Sequence, residues 1–395
     1  MFSPTHRFRL LPLLAAALLL GSTFHLVPAG IFTLLGLLVY RMLWKSSGAL
    51  GHSSLEPSMD SARTWVLVAC RNESHNIPAF FSGLRHLNSP IAGLIWVDDH
   101  SSDDSFIKAQ QEADQCSFPV KLLSLPSTEQ GKKAALNFGR SFIPDEADWV
   151  WFTDADCRVQ PNSLECLIQA APSGGVALGE LVFEGGPSLL SRYQKMENSA
   201  LLSLTQWGLS KGHLLMANGG NLLVHPRLIQ PLNSQHSSSG DDIFALEKNY
   251  IRQPELFAFA SCPDAAVRTS VETHWSDFVQ QRLRWMRKTP LQQDKSSFQL
   301  QITLGLFAFS PLFFLGLGWF FAPHESLEYS LLAGSLWLGK AIIDQWVLAP
   351  SLRQKGQDIS SAWLLSILQT LWLPLLGLLA LWPGHFAWKG RRFYR

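Results

Sequence analysis

The sequence predicts an α/β domain, built on a doubly wound parallel sheet and carried between apolar segments at both ends of the chain. Three observations predict it. Short apolar runs alternate with helical stretches between residues 64 and 290, the pattern of strand–helix–strand units around a parallel sheet. Two of these runs break directly into paired carboxylates, Asp98-Asp99 and Asp154-Ala155-Asp156, where open α/β sheets gather ligands. Long apolar blocks flank the region, and the composition agrees. Of 395 residues, 47% are hydrophobic and only 16% charged, with 15 Trp and 25 Phe, which points to a membrane-embedded fraction. The net charge of +1 offers no basic footprint, so nucleic acid is not an expected partner.

Leu10 to Trp44 is almost continuously apolar, with Arg7 and Arg9 before it and Arg41 and Lys45 near its end. It exceeds the ~20 residues of one span, and His25-Leu26-Val27-Pro28-Ala29-Gly30 interrupts it. A transmembrane hairpin with both ends cytoplasmic fits best. A single tilted span and a signal peptide are the alternatives, the latter without an A-x-A cleavage site. Ser46 to Ser61, rich in Ser, Gly and Pro, reads as a linker. The expected organisation is a hairpin or span over 1–45, a linker over 46–63, a catalytic domain over 64–290, transmembrane helices over 298–383 and a basic tail over 384–395.

Within the middle region, Trp65 to Cys70 is a strand, followed by the polar turn Arg71 to Asn76. Ile77-Pro78 then opens a helix with Pro in its first turn. Leu94 to Val97 and Val120 to Leu123 are further strands. Gly131-Lys132-Lys133 starts a helix, and Trp149 to Phe152 is the strand that runs into Asp154-Ala155-Asp156. Val176 to Phe183 reads as one strand and Leu189 to Leu209 as a helix. Asn218-Gly219-Gly220-Asn221 reads as a tight turn or a place of close backbone approach. Ser237 to Gly240 is a polar loop feeding a helix that begins at Asp241-Asp242. The five cysteines, Cys70, Cys116, Cys157, Cys166 and Cys262, form no CxxC pair. Neither a zinc site nor a disulfide framework is expected, and a reducing, cytosolic setting fits.

Each polar motif has an ordinary reading alone. Asp98 and Asp99 could cap the helix that follows, Lys132 could be a solvated charge, and Asp241 or Asp242 an N-cap. An Asp-x-Asp pair can also hold a divalent cation, which can hold a diphosphate. A lysine in a first helical turn can reach a phosphate, helped by the amides there. Gln281-Arg282-Leu283-Arg284-Trp285 places Gln281 and Trp285 on one helical face with Arg284 beside them. An indole suits stacking on a sugar and a guanidinium suits a diphosphate. The rival reading is a basic juxtamembrane helix with a Trp anchor.

In order, Ala69-Cys70-Arg71-Asn72-Glu73, Val97-Asp98-Asp99-His100-Ser101, Gly131 to Asn137 and Asp154-Ala155-Asp156 resemble the nucleotide-sugar-binding half of family 2 glycosyltransferases. Gln-x-x-Arg-Trp resembles the signature of that family's membrane-bound branch. This branch includes the cellulose, chitin, hyaluronan and poly-N-acetylglucosamine synthases and ceramide glucosyltransferase. The resemblance covers roughly Trp65 to Lys288. It implies a GT-A type, Rossmann-like domain flanked by N- and C-terminal transmembrane helices, with the catalytic domain on the cytoplasmic side of a multi-pass protein of the cell (inner) membrane. It further implies inverting transfer from a nucleotide-sugar, a UDP-sugar, with Mg²⁺ or Mn²⁺, to a lipid or a growing glycan at the bilayer.

Carried onto this sequence, Glu73, Asp98 and Asp99 would hold the nucleoside and Lys132 the phosphates. Asp156 would bind the metal, with Asp154 beside it. Asp242 would be the base, in a site completed by Gln281, Arg284 and Trp285. The family's Glu-Asp is here Asp241-Asp242, which leaves Asp241 the less certain of the two. A processive polysaccharide synthase is the alternative within the class. A nucleotidyltransferase and a catalytically inactive scaffold are the alternatives outside it.

Three apolar blocks follow the domain, about Phe298 to Ala322, Leu327 to Pro350 and Ala362 to Trp382, each long enough to span. Lys340 and Asp344 lie inside the second at i, i+4, expected to pair or to face a cavity. Three full spans would place the basic tail outside, against the positive-inside rule.

Overall fold

The computed structural model describes residues 63–230, 241–262, 265–286, 326–354, 362–381, 386–388 and 391–393, with isolated positions between 299 and 320. The described residues belong to two compact units. One is the sheet domain together with the C-terminal strands; the other contains the apolar helices.

The parallel half of the sheet follows the expected alternation. Strand β1 (Thr64–Cys70), helix α1 (Ile77–Arg85), β2 (Gly93–Asp98), α2 (Ser105–Ala113), β3 (Val120–Ser124), α3 (Lys132–Arg140) and β4 (Trp149–Thr153) succeed one another. β1 pairs in parallel with β2 and β4, and β3 lies outside β2. These strands read as unbroken apolar runs because helices cover both faces. Period-2 alternation sends Val66, Val68, Trp96 and Trp151 to one core, with Phe80 and Phe81 of α1. It sends Leu67, Ile95, Val97 and Val150 to the other, with Leu136 of α3. The Phe80, Phe81 and Trp96 rings meet at 5.5–5.8 Å, within the range in which aromatic pairs add to burial.

The second half departs from the expected all-parallel sheet. After α4 (Ser163–Ala170) come β5 (Val176–Gly179), β6 (Leu181–Glu184), α5 (Leu189–Ser210) and β7 (Asn221–Val224). They are followed by α6 (Asp241–Arg252), β8 (Phe257–Ala260), β9 (Val267–Ser270) and α7 (Trp275–Met286). The seven-stranded sheet has the order β3-β2-β1-β4-β7-β5-β8. β7 runs antiparallel to both neighbours, so the sheet is mixed. The reason is local: the Asn218 to Gly220 turn delivers the chain at the carboxyl end of β4, and β7 can only run back down. The run Val176 to Phe183 is two strands, not one. It breaks at Glu180, whose carbonyl accepts from Asn221 Nδ2 (2.8 Å) and Val267 N–H (3.1 Å). Beyond the break β6 pairs with β9 in a separate two-stranded sheet.

Contrary to the expectation from cysteine spacing, Cys166 of α4 is disulfide-bonded to Cys262, 96 residues away. The pairing was invisible in the sequence because it depends on α4 packing beside β8. Closing so long a loop restricts the unfolded chain, and reduction should lower stability by about 2–4 kcal/mol. Denaturant midpoints with and without reductant measure this; an unchanged midpoint with both thiols titrating would contradict it.

In the helical unit, α8 (Ser326–Gln354) and α9 (Ala362–Leu381) coincide with the second and third apolar blocks. Trp363–Ala380 of α9, mean hydropathy 1.8, is the one window among the described residues long and apolar enough to cross a membrane. α8 is less apolar because it carries Lys340 and Asp344. These pair with each other and with Ser366 of α9, and Lys340 also donates to Gln369 at 3.0 Å. Of the two expectations for this pair, pairing is the one observed. The N-terminal apolar block and most of the block over 298–322 lie outside the described residues. The basic tail forms a short hairpin, β10 (Phe386–Trp388) with β11 (Arg391–Phe393), in register Phe386 with Phe393.

Candidate functional site

The carboxyl ends of β1, β2 and β4 converge on one edge of the sheet. Two left-handed residues shape that edge, Asn72 (φ 51°) and His100 (φ 53°), one after each of β1 and β2. Such strain persists only where surrounding bonds enforce it. Here they do: Arg71 Nη1 donates to the carbonyls of Asp99 and His100, each at 2.6 Å. Asn72 N–H donates to Ser101 Oγ (3.0 Å), and Ser102 N–H donates to Asn72 Oδ1 (2.8 Å). Arg71 and Asn72 therefore hold the two loops as one piece.

Within that piece the expected nucleoside ligands have separate fates. Asp98 is buried; its Oδ2 accepts from Ser101 N–H at 3.0 Å, while its Oδ1 is buried with no hydrogen-bond partner among the described residues. A buried carboxylate oxygen without a donor is costly, and an N–H or O–H of a ligand would relieve it. Asp99 is occupied. Its Oδ2 accepts from Gly131 N–H (3.1 Å) and its Oδ1 contacts His100 Nδ1 (3.2 Å). Glu73 is buried and accepts from Asn76 Nδ2 at 2.7 Å.

Gly131 opens α3 with φ 95°, a conformation that disfavours side chains. It sets Lys132 in the first turn, where its Nζ meets Asp154 Oδ1 at 2.6 Å. Asp154, Asp156 and Cys157 bring potential ligand atoms within 4.8 Å of one another. Burial and the neighbouring Asp154 push Asp156 up to about 6. Burial and the two carboxylates push the Cys157 thiol well above its usual value, so it stays protonated. Two hard carboxylate ligands without a thiolate suit Mg²⁺ or Mn²⁺ rather than zinc. The Gly219-Gly220 turn closes the site from the β7 side. A side chain at Gly220 would come within 3.5 Å of Asp154 Oδ2, so glycine here permits close backbone approach.

The Gln281 to Trp285 motif lies on α7, and its side chains first of all build a network of their own. Gln281 Nε2 donates to Glu272 Oε1 (2.9 Å), and Arg282 Nε to Glu197 Oε2 of α5 (2.7 Å). The Arg282 guanidinium lies 4.3 Å from the Trp285 ring centroid and 4.5 Å from that of Phe278. Gln194 of α5 holds the Glu272 backbone at both its N–H and its carbonyl, each at 2.9 Å. Burial, then Asp277, raises the Glu272 carboxyl. Arg282, Glu197, Gln194 and Glu272 were not anticipated. An arginine on an otherwise apolar helical face, with a glutamate on another, was the available signal.

The sequence-predicted residues thus form two clusters, Glu73–Asp98–Asp99–Lys132–Asp154–Asp156 at the sheet edge and Gln281–Arg284–Trp285 on α7. Asp241 and Asp242 begin α6. One turn further on, Leu246 lines the same cavity as Lys132 and Asp154, so the start of α6 borders the first cluster.

Residues 65–230 match the family model described as Glycosyl transferase family 2. The sheet is the mixed GT-A arrangement. A solved mannosyltransferase of Pyrobaculum calidifontis, in complex with GDP-Man and Mn²⁺, is 14% identical. It aligns over 91% of this chain and 99% of its own with a TM-score of 0.53, a likeness of fold. Glucosyl-3-phosphoglycerate synthase of Mycobacterium tuberculosis, with Mn²⁺ and UDP-glucose, is 17% identical over 55% of this chain and 76% of its own, with a TM-score of 0.38. No curated protein matches.

Proposed function

We propose that the protein moves a sugar from a nucleotide-sugar, a UDP-sugar, to a membrane-associated acceptor in one inverting displacement. The observation that carries this reading is the meeting of Lys132, Asp154 and Asp156 at the same sheet edge as the unsatisfied Asp98 oxygen. Asp98 accepts from the donor's base, with Glu73 and Asp99 fixing the loops around it. Lys132 leaves Asp154 for the diphosphate, and Asp154 turns to the ribose or sugar. Asp156, with Asp154, holds Mg²⁺ or Mn²⁺, which when bound supplies countercharge for the leaving diphosphate. Arg284 adds positive charge to that diphosphate, and Trp285 and Gln281 line the acceptor side.

Asp242 takes the acceptor's hydroxyl proton as its oxygen bonds to the anomeric carbon. The bond to the diphosphate breaks, and its electron pair leaves with UDP. A single base and one displacement give inversion; a product of retained configuration would sink the proposal. The test is UDP release by the full chain in nanodiscs across a panel of UDP-sugars with Mn²⁺ and total membrane lipid. Release with one sugar that depends on lipid supports the reading; in a separate arm with a nucleoside triphosphate and a sugar phosphate, release of pyrophosphate identifies a nucleotidyltransferase instead.

We place the chain in the cell membrane as a multi-pass protein, with the sheet domain facing the cytosol and its donors. The Cys166–Cys262 disulfide is the observation that opposes this orientation, because cytosolic cysteines are kept reduced. Both thiols alkylated after acid quenching of intact cells would support the orientation, and an oxidised pair would contradict it.

A further inference from the structure

Asp154 and Asp156 stand on a tight turn, closed by Cys157 N–H donating to the Asp154 carbonyl at 3.0 Å. β4 fixes the arm that enters this turn, and Arg158 fixes the arm that leaves it. Arg158 and Arg268 of β9 exchange both backbone hydrogen bonds, at 2.7 and 2.9 Å, as an isolated antiparallel bridge. Cys157 and Val159, on either side of Arg158, turn into the core. By alternation the Arg158 side chain lies on the opposite face, away from the metal ligands. Two guanidiniums therefore oppose each other across one bridge, a destabilising pairing on its own. Glu184, at the end of β6, neutralises it. Its Oε2 accepts from Arg158 Nη2 and its Oε1 from Arg268 Nη1, each at 2.6 Å. Bonds of this kind from arginine to a carboxylate are directional as well as strong.

The clamp reaches further than the turn. Val271 N–H, just after β9, donates to the Glu184 carbonyl at 2.9 Å, and Glu272 follows, holding Gln281 of α7. Glu184 thus binds the segment that leaves the metal turn and the segment that feeds α7. Resting on the proposed transferase reading, we infer that Glu184 is a positioning residue. With Arg158 and Arg268 it sets the metal turn, and so the donor's diphosphate, in register with Gln281 and Trp285 on the acceptor side. The side chains of Arg158, Glu184 and Arg268 are 45%, 33% and 41% exposed. Ion pairs this open to water add little global stability. The clamp acts on geometry instead, where a small misplacement is costly.

The experiment follows Mn²⁺ binding to the full chain in nanodiscs by the spin resonance of the ion, and amide exchange by mass spectrometry. In the wild type, Mn²⁺ should slow exchange in peptides from 154–160 and also in those from 267–285. In Glu184→Gln the neutral side chain leaves two cations facing each other. Mn²⁺ should bind it about tenfold more weakly, and saturating Mn²⁺ should slow exchange in 154–160 but no longer in 267–285. Its melting temperature should move by no more than about 3 °C. Glu184→Asp, which keeps the charge, should recover part of both effects. Should Glu184→Gln fail to fold, Arg158→Gln, which removes one arm of the clamp, carries the test with the same expected results. Arg63→Gln breaks a comparably exposed pair with Asp148 at the amino end of β4 and should behave as the wild type. Wild-type Mn²⁺ affinity with wild-type protection of 267–285 in Glu184→Gln, or an equal effect of Arg63→Gln, would overturn the proposal. UDP binding in the presence of Mn²⁺ is measured in parallel on the wild type. Its absence overturns the transferase reading and the clamp with it, whereas UDP binding beside an unaffected Glu184→Gln overturns only the clamp.

Discussion

Replacing Asp156 by Asn should lower transfer by about a thousandfold, the scale of losing charge stabilisation at a leaving group. Asp156 is where burial and Asp154 act together, and that crowding raises its carboxyl to about 6. In the metal-free protein the folded state therefore holds a proton that the unfolded chain releases at lower pH. The sign follows from linkage: metal-free stability falls as pH rises from the ordinary carboxylate range towards 6. A cation reverses this by displacing the proton, so Mn²⁺ affinity should fall about tenfold for each pH unit below 6. In Asp156→Asn that dependence should disappear along with tight binding. Titration of Mn²⁺ by calorimetry at several pH values reads both effects. A variant that binds Mn²⁺ as the wild type does would remove Asp156 from the metal site.

The second large effect lies on α7. Arg282 is 3% exposed and Glu197 8%, so Arg282→Ala strands a buried carboxylate and should destabilise the domain by roughly 3–5 kcal/mol. It also removes the cation against which Trp285 and Phe278 pack. Arg282→Leu combined with Glu197→Leu removes both charges and should recover most of that loss. Denaturation of the single and double variants tests this. A loss below about 1 kcal/mol in the single variant would show the pair to be solvated, as surface ion pairs are.

The parallel half of the fold was legible because strands buried on both faces announce themselves as apolar runs. The carboxylates at their ends were legible because each motif is contiguous. The second half was not. β7, β8 and β9 are four residues each, too short for a period to register, and β7 hides behind two glycines. The division of labour between Asp98 and Asp99 depends on where the Gly131 N–H points, 32 residues away. Arg282 was read as one of several juxtamembrane cations, because only the fold brings Glu197 to it.

The central claim is that the acid at the start of α6 removes the acceptor's proton in a transfer driven from the sheet edge. The most direct measurement is UDP release by Asp242→Asn beside the wild type, with UDP and Mn²⁺ binding measured on both. The account predicts a loss of about 10²–10⁴-fold in release with binding retained. Release at the wild-type rate would contradict it.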